Sequence, residues 1–115
     1  MRVTSSIWVS AHLRRCFASG AFALIERKGA EEAGAIYLRV DLPDGTSKLF
    51  CPAPQSAYES GNFERKWEAY KNGAVLGANE ARDILARETR IDSDAWIVVI
   101  EDREGQSFLP KDLLV

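Results

Sequence analysis

The sequence predicts a single α+β domain over residues 1–115, with two helices packed on a mostly antiparallel sheet of about five strands. Three observations predict it: an unbroken apolar run near the end of the chain, an alternating segment that leads into a Pro-Asp-Gly turn, and two stretches of helical periodicity. With 46% hydrophobic and 28% charged residues, the chain has the composition of a globular domain that buries a core without disulfides. The predicted order is helix, four strands, helix, strand.

The apolar run, residues 95–100, predicts the central strand. It contains six apolar residues in succession and has acidic residues on both sides. A strand with one wet face alternates apolar and polar residues, so an unbroken run indicates cover on both faces. We expect helices on opposite faces, or a second subunit, to supply that cover.

The segment 34–42 predicts the first strand of a hairpin. Its even-numbered apolar residues are expected to face inward, and Tyr37, Arg39 and Asp41 to face outward. Pro43-Asp44-Gly45 forms the turn, because proline presets its own φ and glycine accepts a positive one. Residues 46–51 return as the partner strand. A first strand over 22–27 precedes the hairpin and joins it in a three-strand meander, and residues 63–70 form a fourth strand after a loop at 52–62.

Two helices are predicted, over residues 5–19 and 79–91. Residues at helical spacing form the apolar face of each. For the first helix these are Val9, Leu13, Cys16 and Phe17, and for the second Ala81, Ile84, Leu85 and Ile91. Gly20 is expected to end the first helix in a left-handed conformation, and Asn79 to cap the second.

Charge and cysteine content exclude several classes of protein. Residues 1–71 hold 10 Lys/Arg against 8 Asp/Glu and residues 72–115 hold 5 against 9, which sums to the net charge of −2. Nucleic-acid binding requires a basic surface, so this balance is unfavourable for it. No apolar run approaches the ~20 residues of a membrane span. Cys16 and Cys51 belong to no paired motif, which is typical of a reducing cytoplasm. His12, Arg14 and Arg15 interrupt what would be the core of a signal peptide.

Three motifs in order resemble a known family. They are residues 90–103 around the apolar run, the opening residues 7–11 with 13–15, and the loop residues 27–29 with 33–35. Together they are similar to Domain of Unknown Function 1491, a mainly alphaproteobacterial family. The resemblance implies a bacterial cytosolic origin and supplies no catalytic residue.

The chain departs from that family's pattern at two positions. Ser93 stands where we expect proline, which loosens the turn before the apolar run. Ala30 stands where we expect aspartate, so an acidic group is missing from the loop.

A glycine loop over residues 73–77 is the candidate ligand site. Gly73 and Gly77, with Asn79 beside them, lie between a predicted strand and helix, where backbone amides can bind a pyrophosphate. The strand-loop-helix-strand order also resembles the cofactor half of N-acetyltransferases. However, the residues matching their phosphate loop run from Ala74 to Asn79 and lack both the initial basic or amide residue and the second small one. A structural loop is therefore the favoured interpretation.

Two further clusters of polar residues are weighed against structural roles. His12 and Cys16, four residues apart on one helix, have the spacing of a metal or thiolate pair, but no other histidine completes a site. Asp92 and Asp94 are separated from Glu101 by a strand of about 20 Å, so they cannot form one metal site with it. We predict no catalytic residue, no metal site and no cofactor.

Aromatic residues beside charges suggest an interaction surface. The candidate interface residues are Trp8, His12, Trp67 and Tyr70, the last two on a predicted edge strand that is able to pair with a second copy in a homodimer. The sequence thus favours a non-catalytic binding or interaction module. The alternative is a small-molecule-binding or acyltransferase-like protein using the Gly73–Gly77 loop, and the third is a single-stranded nucleic-acid binder.

Overall fold

The last strand of the chain lies inside the sheet, between the first two. The computed structural model describes residues 3–54 and 64–115. Its helices are α1 (Ser5–Ala18) and α2 (Ala78–Ile91), and its strands are β1 (Phe22–Arg27), β2 (Ile36–Asp41), β3 (Ser47–Pro52), β4 (Trp67–Ala69) and β5 (Trp96–Glu101). The strand order is β1-β5-β2-β3-β4. The predicted α+β fold, with two helices and a mostly antiparallel five-strand sheet, is confirmed.

The order of the strands corrects one prediction. The meander consists of β2, β3 and β4, whereas β1 is separated from β2 by β5. β5 pairs antiparallel with β1 and parallel with β2, Ile36 facing Trp96 and Asp41 facing Glu101. A strand that is apolar on both faces buries the most apolar surface when it lies inside the sheet with a neighbour on each side. This explains why β5 is inserted between β1 and β2.

Each face of the sheet is covered by one helix. The residues of β5 alternate between two core clusters, and residues 95–100 are all buried. The cluster under α1 contains Trp96, Val98 and Ile100, and the cluster under α2 contains Ile97 and Val99. The predicted cover on both faces of this strand is therefore confirmed, with helices on opposite sides.

Helix α1 packs with a face that is rotated from the predicted one, although Val9 and Cys16 are buried as predicted. Thr4 caps it by accepting a hydrogen bond from the Ile7 amide, and Gly20 follows it with φ +86°, as predicted. Its buried residues are Ser5, Trp8, Val9, His12 and Cys16. Phe17, predicted in the core, is 50% exposed. The buried stripe still has helical spacing, but it is rotated towards a histidine and a tryptophan that the pattern had placed on the flank.

The hairpin is confirmed, with one correction. Ile36, Leu38 and Val40 are buried as predicted, and Gly45 has φ +86° in the turn. Arg39, predicted to face solvent, is only 5% exposed. The reason is that both sheet faces are covered, so a charged residue in this interior strand is buried and must be paired within the protein.

The region between β3 and α2 differs from its predicted boundaries. The predicted strand over 63–70 is reduced to β4, and a 3₁₀ turn at Tyr70–Gly73 follows it. Most of the predicted 52–62 loop lies outside the described residues. Gly77, rather than Asn79, is the N-cap of α2, and it offers no side-chain bond. Ile91, predicted on the apolar face, is 79% exposed at the last turn.

The loop between β1 and β2 approaches the start of β5 very closely. The Ala30 amide donates to the Asp94 carbonyl over 2.9 Å, and the Trp96 indole donates to the Ala30 carbonyl over 2.8 Å. A Cβ on Gly29 would lie 2.6 Å from Trp96 Cδ1 and closer still to the Asp94 carbonyl oxygen. Gly34 is similarly confined, so this loop requires glycine at both positions.

In the part of the chain that the structure describes, no helix is long and apolar enough to cross a membrane.

Candidate functional site

Trp8, His12 and Trp67 form a buried stack between α1 and β4. The Trp8 and Trp67 rings lie 4.4 Å apart between centroids, and Trp8 and His12 lie 4.7 Å apart. The guanidinium of Arg15 lies 5.6 Å from the Trp8 ring centroid. The three stacked side chains are 8%, 0% and 1% exposed. The premise that these residues are exposed is therefore wrong, because they fill the core of their own chain.

Both ring nitrogens of His12 are engaged. Nε2 lies 2.9 Å from the Ser107 carbonyl oxygen, and Nδ1 lies 3.0 Å from Arg15 Nη2. A carbonyl only accepts, so Nε2 carries the proton and Nδ1 accepts from Arg15. Burial, with the nearby Arg15 charge, lowers the pKa of His12 to about 4. The imidazole is neutral at pH 7 and serves as a structural connector between α1 and the segment after β5.

The two thiols also lack the properties of reactive cysteines. Cys16 is fully buried and Cys51 is partly buried, and both are free. Burial raises the pKa of each thiol to about 11. A reactive cysteine needs a lowered pKa and access to solvent, and neither residue has both. Among residues 3–54 and 64–115, no group of three or more His, Cys, Asp or Glu side chains is arranged to hold a metal ion.

The acidic residues on either side of β5 bond to the backbone. The Asp92 carboxylate accepts from the Asp94 amide over 3.0 Å. The Asp102 carboxylate accepts from the amides of Glu104 and Gln106 over 3.1 and 2.9 Å. These are the turn-stabilising bonds that short acidic side chains make.

The predicted ligand loop over residues 73–77 is exposed at only two of its five positions, Val75 and Gly77. Gly73 ends the 3₁₀ turn with φ +84°, and Gly77 and Asn79 are exposed at the start of α2. Leu76, between them, is buried and exchanges two backbone hydrogen bonds with Ser47 of β3. The loop therefore has an evident structural role as a bridge from the sheet to α2.

An ion-pair network around the buried Arg39 lies on the α2 side of the sheet. Arg39 bonds both carboxylate oxygens of Asp41, over 2.9 and 3.2 Å, and both of Glu26, over 3.2 and 3.1 Å. Ser47 donates to Asp41 over 2.7 Å. The network joins the edge strand β1 to β2 and β3 across β5. Bidentate geometry makes such pairs strong and specific.

Two cavities flank the hairpin turn beside this network. One, of about 300 Å³, is lined by Asp41, Leu42, Pro43, Glu101, Asp102 and Arg103. The other, of about 240 Å³, is lined by Arg39, Asp41, Leu42, Pro43, Gly45, Ser47, Ala78 and Arg82. Arg39, Asp41 and Asp102 are already bonded within the chain, so these polar groups have much of their bonding capacity occupied.

The two edges of the sheet differ in their protection. β4 is three residues long, and its outer side is bonded by the C-terminal residues, with the Val115 amide donating to the Trp67 carbonyl over 2.8 Å. Tyr70, predicted as an interface residue, is half-buried against the cluster under α2. β1 is six residues long and pairs on one side only, with β5. In the described chain, β1 is the open edge.

Four apolar side chains are exposed at this edge, and we call them the β1 surface. They are Phe17 (50% exposed), Phe22 (53%), Leu24 (39%) and Ile25 (41%). The rings of Phe17 and Phe22 contact each other edge-to-face, with centroids 6.1 Å apart. Sequence reasoning missed this surface because Phe17 was assigned to the apolar face of the first helix, and because the pattern of residues 22–27 does not show that their strand lies at an open edge. The available signal was the mixed apolar and charged character of residues 22–27, in contrast to the fully apolar run of residues 95–100.

The matches to known proteins give the family. The model of a family described as "Protein of unknown function (DUF1491)" matches residues 3–110. The chain belongs to the DUF1491 family. A crystal structure of a DUF1491 family protein from Caulobacter crescentus CB15 is 34% identical, with a TM-score of 0.79, 100% of this chain covered and 99% of that one.

A second solved structure agrees with this assignment. The solution structure of protein Atu0922 from A. tumefaciens is 44% identical, with a TM-score of 0.79, 95% of this chain covered and 93% of the other. No curated protein matches the chain. The resemblance drawn from the three sequence motifs is confirmed, and the family description carries no activity for this DUF1491 protein.

Proposed function

We propose that this DUF1491 protein is a non-catalytic interaction module of the bacterial cytoplasm, and that it binds another polypeptide through the β1 surface. The observation that carries the proposal is an open, six-residue edge strand with three exposed apolar side chains, next to a fourth, Phe17, on α1. Free backbone groups along such an edge are a template for a further strand.

The protection that proteins give to edge strands is absent from the first four of the six residues of β1. Charges and a bulge normally discourage pairing at an edge. Here the bulge lies between Ile25 and Arg27, and the charged residues Glu26 and Arg27 lie at the same end. The preceding residues, Phe22 to Ile25, carry no such protection. An unprotected apolar edge of this kind is typical of a surface that is covered in the functional state.

The buried polar groups support a structural, non-catalytic interior. His12 is neutral and bonded on both ring nitrogens, and the two thiols have raised pKa values. Neither cavity beside the hairpin is lined by Gly73, Gly77 or Asn79. The two free thiols are consistent with a reducing compartment.

Site-specific photo-cross-linking in bacterial cells tests this proposal. A photoreactive amino acid replaces Leu24, and the control carries it at Val75, an apolar residue that is 56% exposed in the loop before α2. We expect a light-dependent adduct of defined mass at position 24 and none at position 75. Equal labelling at both positions, or none at either, would contradict the proposal. A native mass spectrum showing a retained small molecule would favour the ligand-binding alternative instead.

A further inference from the structure

The apolar segment formed by Ala21 and the first four residues of β1 is centred on one residue, which suits pairing with its own copy. Residues 21–25 read Ala-Phe-Ala-Leu-Ile, all apolar, with Ala23 in the middle. Two such strands related by a two-fold axis at Ala23 would pair antiparallel. Phe22 of each copy would then face Leu24 of the other, and Ala21 would face Ile25. Every opposed pair within residues 21–25 is apolar in this register.

We propose that the partner at the β1 surface is a second copy of this chain, paired through β1 about a two-fold axis at Ala23. This inference rests on the proposed function. The two sheets become one ten-stranded sheet, and the two α1 helices lie on one face and the two α2 helices on the other. The contact is isologous, as most symmetric dimers are.

The charges of β1 are compatible with this register. Glu26 is bonded to Arg39 and Arg27 donates to the Ala95 carbonyl, so both are partnered within the chain. In the register centred on Ala23, Glu26 faces Gly20 of the other copy. The two Glu26 residues are then six positions apart along the strands, about 20 Å. Pairing therefore brings no like charges together, and it leaves the bonds of Glu26 and Arg27 within their own chain in place.

The area of the β1 surface indicates a dimer of modest affinity. A phenylalanine side chain buries about 150–250 Å², so the half-exposed Phe17 and Phe22 offer roughly 100 Å² each. With Leu24 and Ile25, the exposed apolar area is roughly 300 Å² per copy, below the ~800 Å² per partner of a standard interface. The paired backbone and the neighbouring side chains add to this. We expect a dissociation constant on the order of 1–100 μM.

The assembly closes at two copies. The only other edge of the sheet, β4, is bonded by the C-terminal residues through Val115 and Leu114. Because this edge is occupied in the described chain, a third copy finds no equivalent strand to extend. A closed dimer, rather than an open filament, follows from one open edge and one covered edge.

Sedimentation velocity across 1–500 μM protein tests the inference, with variants Leu24→Lys and Val75→Lys. We expect the wild-type protein and Val75→Lys to shift from the 12.8 kDa monomer towards twice that mass as concentration rises. Leu24→Lys should remain monomeric at every concentration, with a circular dichroism spectrum equal to that of the wild type. If Leu24→Lys is misfolded, Ile25→Lys takes its place.

Hydrogen exchange locates the contact. The outward-facing amides among residues 22–25, every second one because the others bond to β5, should exchange roughly 3- to 9-fold more slowly at 500 μM than at 5 μM for the expected dissociation constant, whereas those of α2 should not change. A dimer whose β1 amides are unaffected, or one that Val75→Lys also disrupts, overturns the proposed pairing. A strict monomer that is cross-linked at Leu24 to a different protein overturns the second copy but leaves the proposed function standing. A strict monomer with no adduct at Leu24 overturns both.

Discussion

Substituting Gly29 with alanine should destabilise the protein strongly, although it adds only one methyl group. The new Cβ would lie 2.6 Å from Trp96 Cδ1 and 2.7 Å from the carbonyl carbon of Ala95, and it would overlap the Asp94 carbonyl oxygen. Two of these contacts are with backbone, which cannot rotate away. The loop must therefore move off the start of β5.

The cost follows from what this movement breaks. The hydrogen bonds between Ala30 and Asp94 and between Trp96 and Ala30 are lost, at about 1 kcal/mol each. Trp96, now 2% exposed, loses part of its cover. Uncovering roughly 50 Å² of this ring adds about 1 kcal/mol. The sum is about 3 kcal/mol, or a fall of roughly 12 °C in Tm for a chain of this size.

Urea unfolding followed by tryptophan fluorescence measures this difference, and Gly77→Ala is the matched control. Gly77 has φ −65° and no atom within 4 Å of a new Cβ. As an N-cap without a side-chain bond, it should lose less than about 1 kcal/mol. If Gly29→Ala unfolds within 0.5 kcal/mol of the wild type, or costs no more than Gly77→Ala, the steric argument is wrong.

Three further predictions concern the buried polar groups. Because folding lowers the pKa of His12 from 6.5 to about 4, the unfolded chain binds the extra proton first, and the free energy of unfolding should fall by roughly 2.5 kcal/mol between pH 7 and 4.5. His12→Gln should lack this part of the pH dependence, and an unchanged slope would refute the assignment. Arg39→Met should lower the free energy of unfolding, measured by chemical denaturation, by about 2 kcal/mol, because it leaves two partly buried carboxylates without their positively charged partner. Lys28→Met, which breaks an exposed pair, should cost under about 0.5 kcal/mol, and equal effects would contradict the burial argument. The thiols of Cys16 and Cys51, with pKa raised from 9 to about 11, should react at pH 7.5 about 100-fold more slowly with a disulfide reagent than in denaturant, and comparable rates would refute their burial.

The sequence predicted the elements whose pattern has one physical solution. The run of residues 95–100 admits only a strand covered on both faces, and Pro43-Asp44-Gly45 between alternating segments admits only a hairpin. Periodicity also located both helices to within a residue or so of their observed ends.

Contacts between residues that are far apart in the chain could not be predicted from these local patterns. The buried face of α1 includes His12, whose partner, Ser107, is 95 residues away. Arg39 is buried because Glu26 and Asp41 neutralise its charge. No local sequence pattern indicates that these three residues pair with one another. In both cases a polar side chain was assigned to solvent because its partner could not be identified from spacing alone.

The candidate site was missed for the same reason. Whether Phe22 and Leu24 are core or surface depends on which strand lies beside β1 and which helix lies above it. The core cluster under α2 includes residues of β2, β3 and β5 but none of β1. This is a property of the assembled sheet, since the same residues in an interior strand would be buried.

The position of β5 in the sheet has a consequence for synthesis on the ribosome. β1 and β2 are both complete by Asp41, yet the strand that separates them begins only at Trp96, about 55 residues later. At a translation rate of roughly 5–20 residues per second, several seconds pass before β5 is made. During that time the apolar inner edges of β1 and β2 have no native neighbour. The sheet is completed only after most of the chain has been synthesised, by insertion of its most apolar strand. Until then the unpaired edges of β1 and β2 are sites at which the nascent chain can aggregate.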